Sequence, residues 1–230
     1  MKKVSCAAVA LILAVTSLAS AQSASSNKAF FAKSKNEITL APVAGATSSE
    51  VTLFDIPQAI KTSNGGSISA ILSMEAALWT YNLTTAVVNG GKNSSSSRAA
   101  IKAWVEIDGV QMEPGFVVYA DRLQATGLTV NLACQTSTDG ETCTVTGDVT
   151  LELFQATKNA NSFAFFQGPL DPIIHSVKVK AQGFIECHDG DGAVITCPTG
   201  TLAGYGNAST MAAIGKATLL LEEQQNWRSQ

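Results

Sequence analysis

Four of the five cysteines lie in two short segments, and each segment has an Asp-Gly step between its two cysteines. The segments are Cys134–Cys143 and Cys187–Cys197, and strand-like sequence flanks both of them. An Asp-Gly step between alternating apolar residues is a strong signal for a tight hairpin turn. We therefore predict two hairpin tips, each closed by a local disulfide.

Other uses of these four cysteines stay open. Four cysteines allow three pairings, and two of those pairings would join the tips to each other. Local pairing is favoured because each pair is at hairpin distance around its turn. Metal binding, with His188 as a further ligand, is the competing interpretation. It fits less well because zinc-binding cysteines usually have two to four residues between them, and the gaps here are longer.

The N-terminus has the three parts of a secretory signal peptide. A basic start is followed by an apolar run over residues 4–18 and by small residues up to Ala21, after which we predict cleavage. Export to the extracellular space or the periplasm makes disulfides the default. No later segment is long and apolar enough to span a bilayer, so we expect no membrane insertion of the mature chain.

The net charge of the chain limits the kinds of partner that we expect it to bind. Removal of residues 1–21 takes away two lysines and no acid, so the formal net charge changes from −3 to −5. The remaining lysines and arginines form no cluster. A mildly acidic chain without a basic patch is a poor match to nucleic acid, and we predict no nucleic-acid partner.

Composition and hydrophobic periodicity divide the rest of the chain into two parts. Residues 22–48 are rich in Ser, Ala, Lys and Asn without a sustained period, which predicts a flexible N-terminal leader with room for a short edge strand near its end. Residues 49–227 are predicted to form one β-domain. Its clearest strand covers Ser67–Tyr81, where apolar residues alternate with mostly polar ones, although a helix over 70–79 is the alternative.

A meander follows this strand. Asp108-Gly109 is a two-residue hairpin signal between alternating segments. Segment 89–97 is predicted to be a flexible loop, and 158–161 to be a turn. About ten strands at regular spacing, without a convincing amphipathic helix, predict an all-β fold: a single antiparallel β-sandwich, jelly-roll-like or immunoglobulin-like.

Three aromatic residues are the main candidates for ligand binding. Trp79, Tyr81 and Trp104 all fall in the polar alternating sets of their strands. If those sets face water, the rings form platforms for sugar rings or a protein partner, with Arg122 among the polar residues around them. The alternative is that a second sheet or the 82–98 loop covers them.

The second cysteine loop is the candidate cation site. Asp189 and Asp191 offer carboxylates in a tight loop, as calcium prefers, but the loop lacks the Asp-x-Asp-x-Asp-Gly pattern of an EF-hand. The competing interpretation is an ordinary turn in which Asp caps and Gly takes positive φ. We predict no other cofactor.

Catalysis has weaker support. His175 is either a general base or a half-buried histidine at the rim of the sheet, and no Gly-x-Ser-x-Gly elbow is present. A glycosidase-type pair would have to come from the carboxylates Glu106, Asp108, Asp121 and Glu152.

The sequence therefore favours a secreted, non-enzymatic sandwich of binding or adhesion type, with a glycan or a surface protein as ligand. The alternatives are a structural protein that self-associates and a carbohydrate-active enzyme.

Overall fold

The computed structural model describes residues 27–33, 38–40, 50–86, 93–128, 135–137, 140–142, 149–202 and 206–224, and the structural statements below concern these residues. They form an all-β structure in which two antiparallel sheets face each other. Within them there is no helix long and apolar enough to cross a membrane. The strand bounds are β1 (Lys28–Lys33), β2 (Ile38–Leu40), β3 (Val51–Lys61), β4 (Gly66–Ala86), β5 (Asn93–Ile107), β6 (Val110–Gln111), β7 (Val117–Leu128), β8 (Gln135–Ser137), β9 (Gly140–Thr142), β10 (Val149–Leu170), β11 (Ile174–His188), β12 (Val194–Ile195), β13 (Thr199–Leu202), β14 (Gly206–Ser209) and β15 (Met211–Gln224).

Each sheet has one long edge strand on the same side of the molecule. The first sheet has the order β1–β15–β4–β10, and β2 also pairs with β15. In the second sheet β3 and β12 pair with one side of β11, β5 pairs with its other side, and β6 and β7 pair with the far side of β5. Edge strands β10 and β7 are neighbours, because side-chain hydrogen bonds connect them without any ladder pairing.

The core lies between the sheets and consists of the predicted alternating sets. In β4 the core-facing residues from Ile68 to Leu78 are buried, and in β5 those from Ala99 to Ile107 are buried as well. The strand prediction over Ser67–Tyr81 is confirmed. Alternation is decisive here because a strand presents every second residue to one face, and burying each large apolar side chain stabilises the fold by about 1.5–3 kcal/mol.

Turn chemistry also behaves as predicted at the first strong hairpin signal. Asp108 and Gly109 both have positive φ, at 48° and 82°, and connect β5 to β6. Two successive residues with positive φ are what a tight two-residue hairpin turn requires, and Asp and Gly tolerate that conformation.

Four sequence predictions are wrong in part. The described residues contain more than ten strands. Residues 158–161 form no turn, because β10 runs through them and pairs continuously with β4. The leader predicted over 22–48 contains β1, which pairs with β15 because Ala29 and Phe31 pack against the core. The short strand β2 also pairs with β15 and agrees with the edge strand expected toward the end of the leader. The predicted loop 89–97 likewise includes the start of β5, at Asn93.

The second cysteine tip is confirmed. Cys187 and Cys197 form a disulfide with an S–S distance of 2.07 Å, next to the pairing of β11 with β12. The first tip is a hairpin too, because Gln135 pairs with Thr142. Cys134 and Cys143 lie outside the described residues, so their disulfide stays a prediction, as does the signal peptide.

Candidate ligand-binding cleft between the two edge strands

A cleft separates β7 from β10, and two side chains bridge it. Asn161 Nδ2 donates to the carbonyl oxygen of Tyr119 at 2.6 Å, and Gln124 Nε2 donates to the carbonyl oxygen of Leu153 at 3.4 Å. Between these bridges is a cavity of about 310 Å³, near the lower end of the roughly 300–1,000 Å³ typical of small-molecule sites. Its lining residues are Ala76, Leu78, Ala120, Asp121, Arg122, Thr157 and Asn159.

The cavity exists because small and polar residues occupy positions where a sandwich normally has large apolar ones. Thr157 pairs with Leu78 and Asn159 pairs with Ala76, so both point toward the space between the sheets. Neither side chain is hydrogen-bonded to a described residue. Alanine at positions 76 and 120 leaves room in front of them. The polar groups are therefore available to a ligand.

A register shift in β7 forms the opposite wall. Between Ile101 and Lys102 of β5, the partner in β7 skips from Ala120 to Val118, so Tyr119 is the extra residue of a β-bulge. Bulges re-aim side chains at strand edges. Tyr119 points into the core, and beyond it Arg122 pairs with the buried Ala99 and shares its inward orientation.

Arg122 is the one sequence-predicted ligand residue that lines the cleft. Its Nη1 atom is buried and has no hydrogen-bond partner within the described part of the chain. Its neighbour Asp121 points to the outer face, where Arg98 holds both carboxylate oxygens at 2.9 Å and 2.5 Å. The hydrogen bond and charge of Asp121 raise the pKa of Arg98 above its ordinary value.

Polar side chains continue from the cleft into the interior. Thr80 Oγ1 donates to Gln124 Oε1, and Asn82 Nδ2 donates to the Gln124 carbonyl and to Thr126 Oγ1, both at 2.9 Å. Asn82 Oδ1 and Ser97 Oγ are buried and unpartnered among the described residues. This end of the sandwich is thus hydrogen-bonded rather than apolar, which is unusual because unpaired buried polar groups cost free energy.

No protein-family model matches this sequence, and no curated protein is significantly similar to it. The interpretation of the cleft therefore depends on its own geometry.

The three predicted aromatic residues do not form one exposed platform. Tyr81 is 1% exposed because β13 covers it, and a Cβ at Gly200 would overlap its hydroxyl. Trp79 is partly buried on the same outer face of the first sheet. Trp104, 8% exposed, lies on the outer face of the second sheet. The rings are therefore on opposite sides of the molecule, and their role in binding stays a prediction.

On the outer face of the second sheet, the charged side chains around Trp104 interact with one another. Trp104 Nε1 donates to Glu106 Oε1 at 2.9 Å, and Lys180 Nζ is 2.9 Å from the same oxygen. Partial burial raises the pKa of Glu106, but these two hydrogen bonds and the charges of Lys180 and Lys178 together lower it by more, so the carboxylate is ionised at neutral pH. Lys102 lies over the Phe116 ring at 4.9 Å from its centroid.

His175 belongs to a buried hydrogen-bond cluster. Its Nδ1 is 2.6 Å from Asp108 Oδ2 and its Nε2 is 2.9 Å from Thr62 Oγ1. This order resembles a catalytic triad, but Thr62 and His175 are both buried, and the Thr62 hydroxyl also lies 2.5 Å from the carbonyl oxygen of Asp171. The cluster connects three turns of the backbone, a structural role.

In the predicted cation loop, the first carboxylate accepts hydrogen bonds from backbone amides of the same loop. Asp189 Oδ1 accepts hydrogen bonds from the amides of Asp191 and Ala193 at 3.0 Å and 2.9 Å. Gly192 has φ of 81°. The geometry matches the turn-capping interpretation, and the described residues contain no group of three or more metal-type side chains.

The candidate catalytic carboxylates are separated by their partners. Glu106 is paired with Lys180, Asp108 with His175 and Asp121 with Arg98. Glu152 is exposed on β10. Three of the four carboxylates are therefore each held by a different basic side chain.

Sequence reasoning missed Thr157 and Asn159, because 158–161 resembled a turn. A signal was present. Gln155, Thr157, Asn159 and Asn161 occupy alternate positions, and a polar set with period two is typical of a strand face. What the sequence could not show is that this polar face points toward the other sheet.

Proposed function

We propose that this protein is a secreted, non-enzymatic β-sandwich that binds a glycan in the cleft between β7 and β10. The observation that carries the proposal is the pair of polar side chains, Thr157 and Asn159, at core-facing positions of an edge strand, without hydrogen-bond partners among the described residues. The Cys187–Cys197 disulfide fits an oxidising compartment. For the finer fold type we propose a jelly-roll-like or immunoglobulin-like sandwich, a class built from two facing antiparallel sheets.

A glycan suits this cleft because of its hydrogen-bonding groups. Each sugar hydroxyl donates and accepts, and so do the Thr157 hydroxyl and the Asn159 amide, whereas a guanidinium only donates. The floor of Ala76 and Leu78 is apolar and narrow, which suits the C–H face of a sugar ring. Sites of this kind use an apolar surface with a few placed polar groups for orientation.

The first test is a glycan array followed by isothermal titration calorimetry with the glycans that bind. We expect Asn159→Ala and Thr157→Val each to weaken binding about 3–10-fold, since a neutral hydrogen bond contributes about 0.5–1.5 kcal/mol. The double variant should lose more than either single one.

Lys158→Ala is the matched control for this test. Lys158 lies between the two residues on the same strand, but it points outward and pairs with Glu75 at 3.0 Å. Its removal should leave glycan affinity unchanged. A glycan whose affinity responds to Lys158→Ala and not to Asn159→Ala would contradict binding in the cleft.

Self-association is the second candidate function, and one surface favours it. Phe116, Val118 and Leu123 are exposed apolar residues along the outer face of the β7 edge, and Leu123 is 68% exposed. Exposed apolar patches mark protein contacts. Sedimentation velocity over a concentration series separates the two candidates: a dimer that Leu123→Asp disrupts favours assembly, and a monomer throughout favours ligand binding.

A further inference from the structure

The guanidinium of Arg122 is the charged group of the cleft that lacks a hydrogen-bond partner among the described residues at one of its nitrogens. Its Nη1 atom is buried without a hydrogen-bond partner in the described chain, although it carries part of a permanent positive charge. Buried polar groups in folded proteins are nearly always hydrogen-bonded, and an unpaired charged donor costs more than a neutral one. Because Arg122 also lines the cavity, a ligand bound there would lie beside its guanidinium.

The charge around the cavity selects the chemistry of that partner. Asp121 is the acidic residue among those that line the cavity, and Arg98 binds both of its carboxylate oxygens on the outer face of the sheet. The other described lining residues besides Arg122 are uncharged. The cavity thus has one uncompensated positive charge, and a group with one negative charge would balance it.

We propose that the ligand of this cleft is an acidic sugar whose carboxylate binds to Arg122. This inference rests on the proposed glycan-binding function and specifies its substrate class. A planar guanidinium matches the two oxygens of a carboxylate better than any other side chain does. Thr157 and Asn159, on the facing strand, bind hydroxyls of the same sugar.

The polar side chains next to Arg122 already have other hydrogen-bond partners, so they do not serve as internal partners of the guanidinium. Gln124, the next inward residue of β7, is hydrogen-bonded to Thr80 and to the Leu153 carbonyl. Asn161, on the opposite lip, is committed to the Tyr119 carbonyl. These bridges hold the lips of the cleft in position on both sides of Arg122, so the guanidinium is presented on a fixed framework.

The experiment compares acidic oligosaccharides with their neutral counterparts. The probes are an oligogalacturonide and a sialylated oligosaccharide, each with its carboxyl-reduced form and with a sulfated derivative of that form. Calorimetry on the wild-type protein should show the carboxylate form of at least one probe binding about 10–100-fold more tightly than the reduced form, as expected for a charge-assisted hydrogen-bond pair. In Arg122→Met this preference should disappear, while affinity for the reduced form persists.

The outcomes separate this inference from the proposed function. If neutral and acidic forms bind equally and Asn159→Ala weakens both, the glycan cleft stands and the carboxylate inference is overturned. A preference for the sulfated derivative also overturns it. If no glycan binds at all, the proposed function fails, and the inference fails with it.

Melting temperature distinguishes a ligand-binding arginine from a structural one. Because Arg122→Met removes an unpaired buried donor and keeps most of the side-chain volume, the free variant should melt about 2–4 °C above the wild type. Arg122→Lys should retain part of the preference for the acid. A melting temperature that falls in Arg122→Met, together with unchanged binding, would mean that the arginine stabilises the fold and does not bind ligand.

Discussion

Replacing Tyr119 with alanine is expected to lower the free energy of unfolding by about 3–5 kcal/mol, the usual cost of deleting a large buried aromatic side chain. Tyr119 is 2% exposed, its hydroxyl donates to the carbonyl oxygen of Leu72 at 2.7 Å, and its ring meets Phe163 edge-on with centroids 4.8 Å apart. Tyr119 is in the second sheet and both partners are in the first. The side chain therefore connects the sheets beside the cleft.

Urea denaturation at neutral pH measures this effect. Val118→Ala is the control, because Val118 is the next residue on β7 and points to solvent, and its free energy of unfolding should change by no more than about 0.5 kcal/mol. If Tyr119→Ala costs no more than Val118→Ala, the connection between the sheets does not depend on this ring.

Tyr119→Phe isolates the hydroxyl and predicts a dependence on alkaline pH. Burial raises the pKa of Tyr119 above its ordinary value of about 10. Its contribution to stability is thus complete below pH 10 and declines as pH rises further, because the unfolded chain ionises first. Tyr119→Phe should decline less above pH 10. Burial, and then the charge of Glu152, raise the pKa of Tyr81 too, so part of the decline should persist in this variant.

Replacing His175 with alanine is expected to cost about 2–4 kcal/mol. The imidazole connects Asp108, in the β5–β6 turn, to Thr62, after β3, through hydrogen bonds of 2.6 Å and 2.9 Å. Its loss leaves a cavity and an unpaired buried hydroxyl. His188→Ala is the control, since that ring is only partly buried on the cysteine tip, and it should cost less than 1 kcal/mol or so. Equal losses in the two variants would contradict a structural role for the cluster.

The stability of Asp108→Asn at acid pH tests the same cluster. Partial burial raises the pKa of Asp108, but hydrogen bonds from His175 and Ser176 lower it by more, so its pKa is below the ordinary value. A lowered pKa stabilises the fold above the pKa of about 3.9 in the unfolded chain, and that stability is lost as pH falls through the folded value. We expect Asp108→Asn to lose less stability than the wild type below pH 4. Asn also accepts the positive φ of this position.

Local patterns predicted a large part of the fold. The alternation in Ser67–Tyr81, the turn at Asp108-Gly109 and the disulfide between Cys187 and Cys197 are all correct. Each depends on residues close in sequence, so side-chain period and turn propensity are sufficient to specify them.

Predictions failed where a distant strand overrode the local signal. Residues 158–161 have turn-forming composition, yet β4 pairs with them throughout, and the backbone hydrogen bonds of that pairing outweigh local preference. β1 lies in a stretch without a sustained period, yet it pairs with β15 as an edge strand.

The amino-acid sequence by itself determined the all-β class, the core-facing residues of the central strands and the second disulfide-closed tip, because alternation and turn chemistry act over a few neighbouring residues. Only the tertiary structure decided that β13 covers Tyr81, that β7 and β10 face each other, and that Arg122 meets Thr157 and Asn159 across a cleft. Those relations depend on which sheet edges become neighbours. That choice is made by packing between strands far apart in the chain, and no local pattern encodes it.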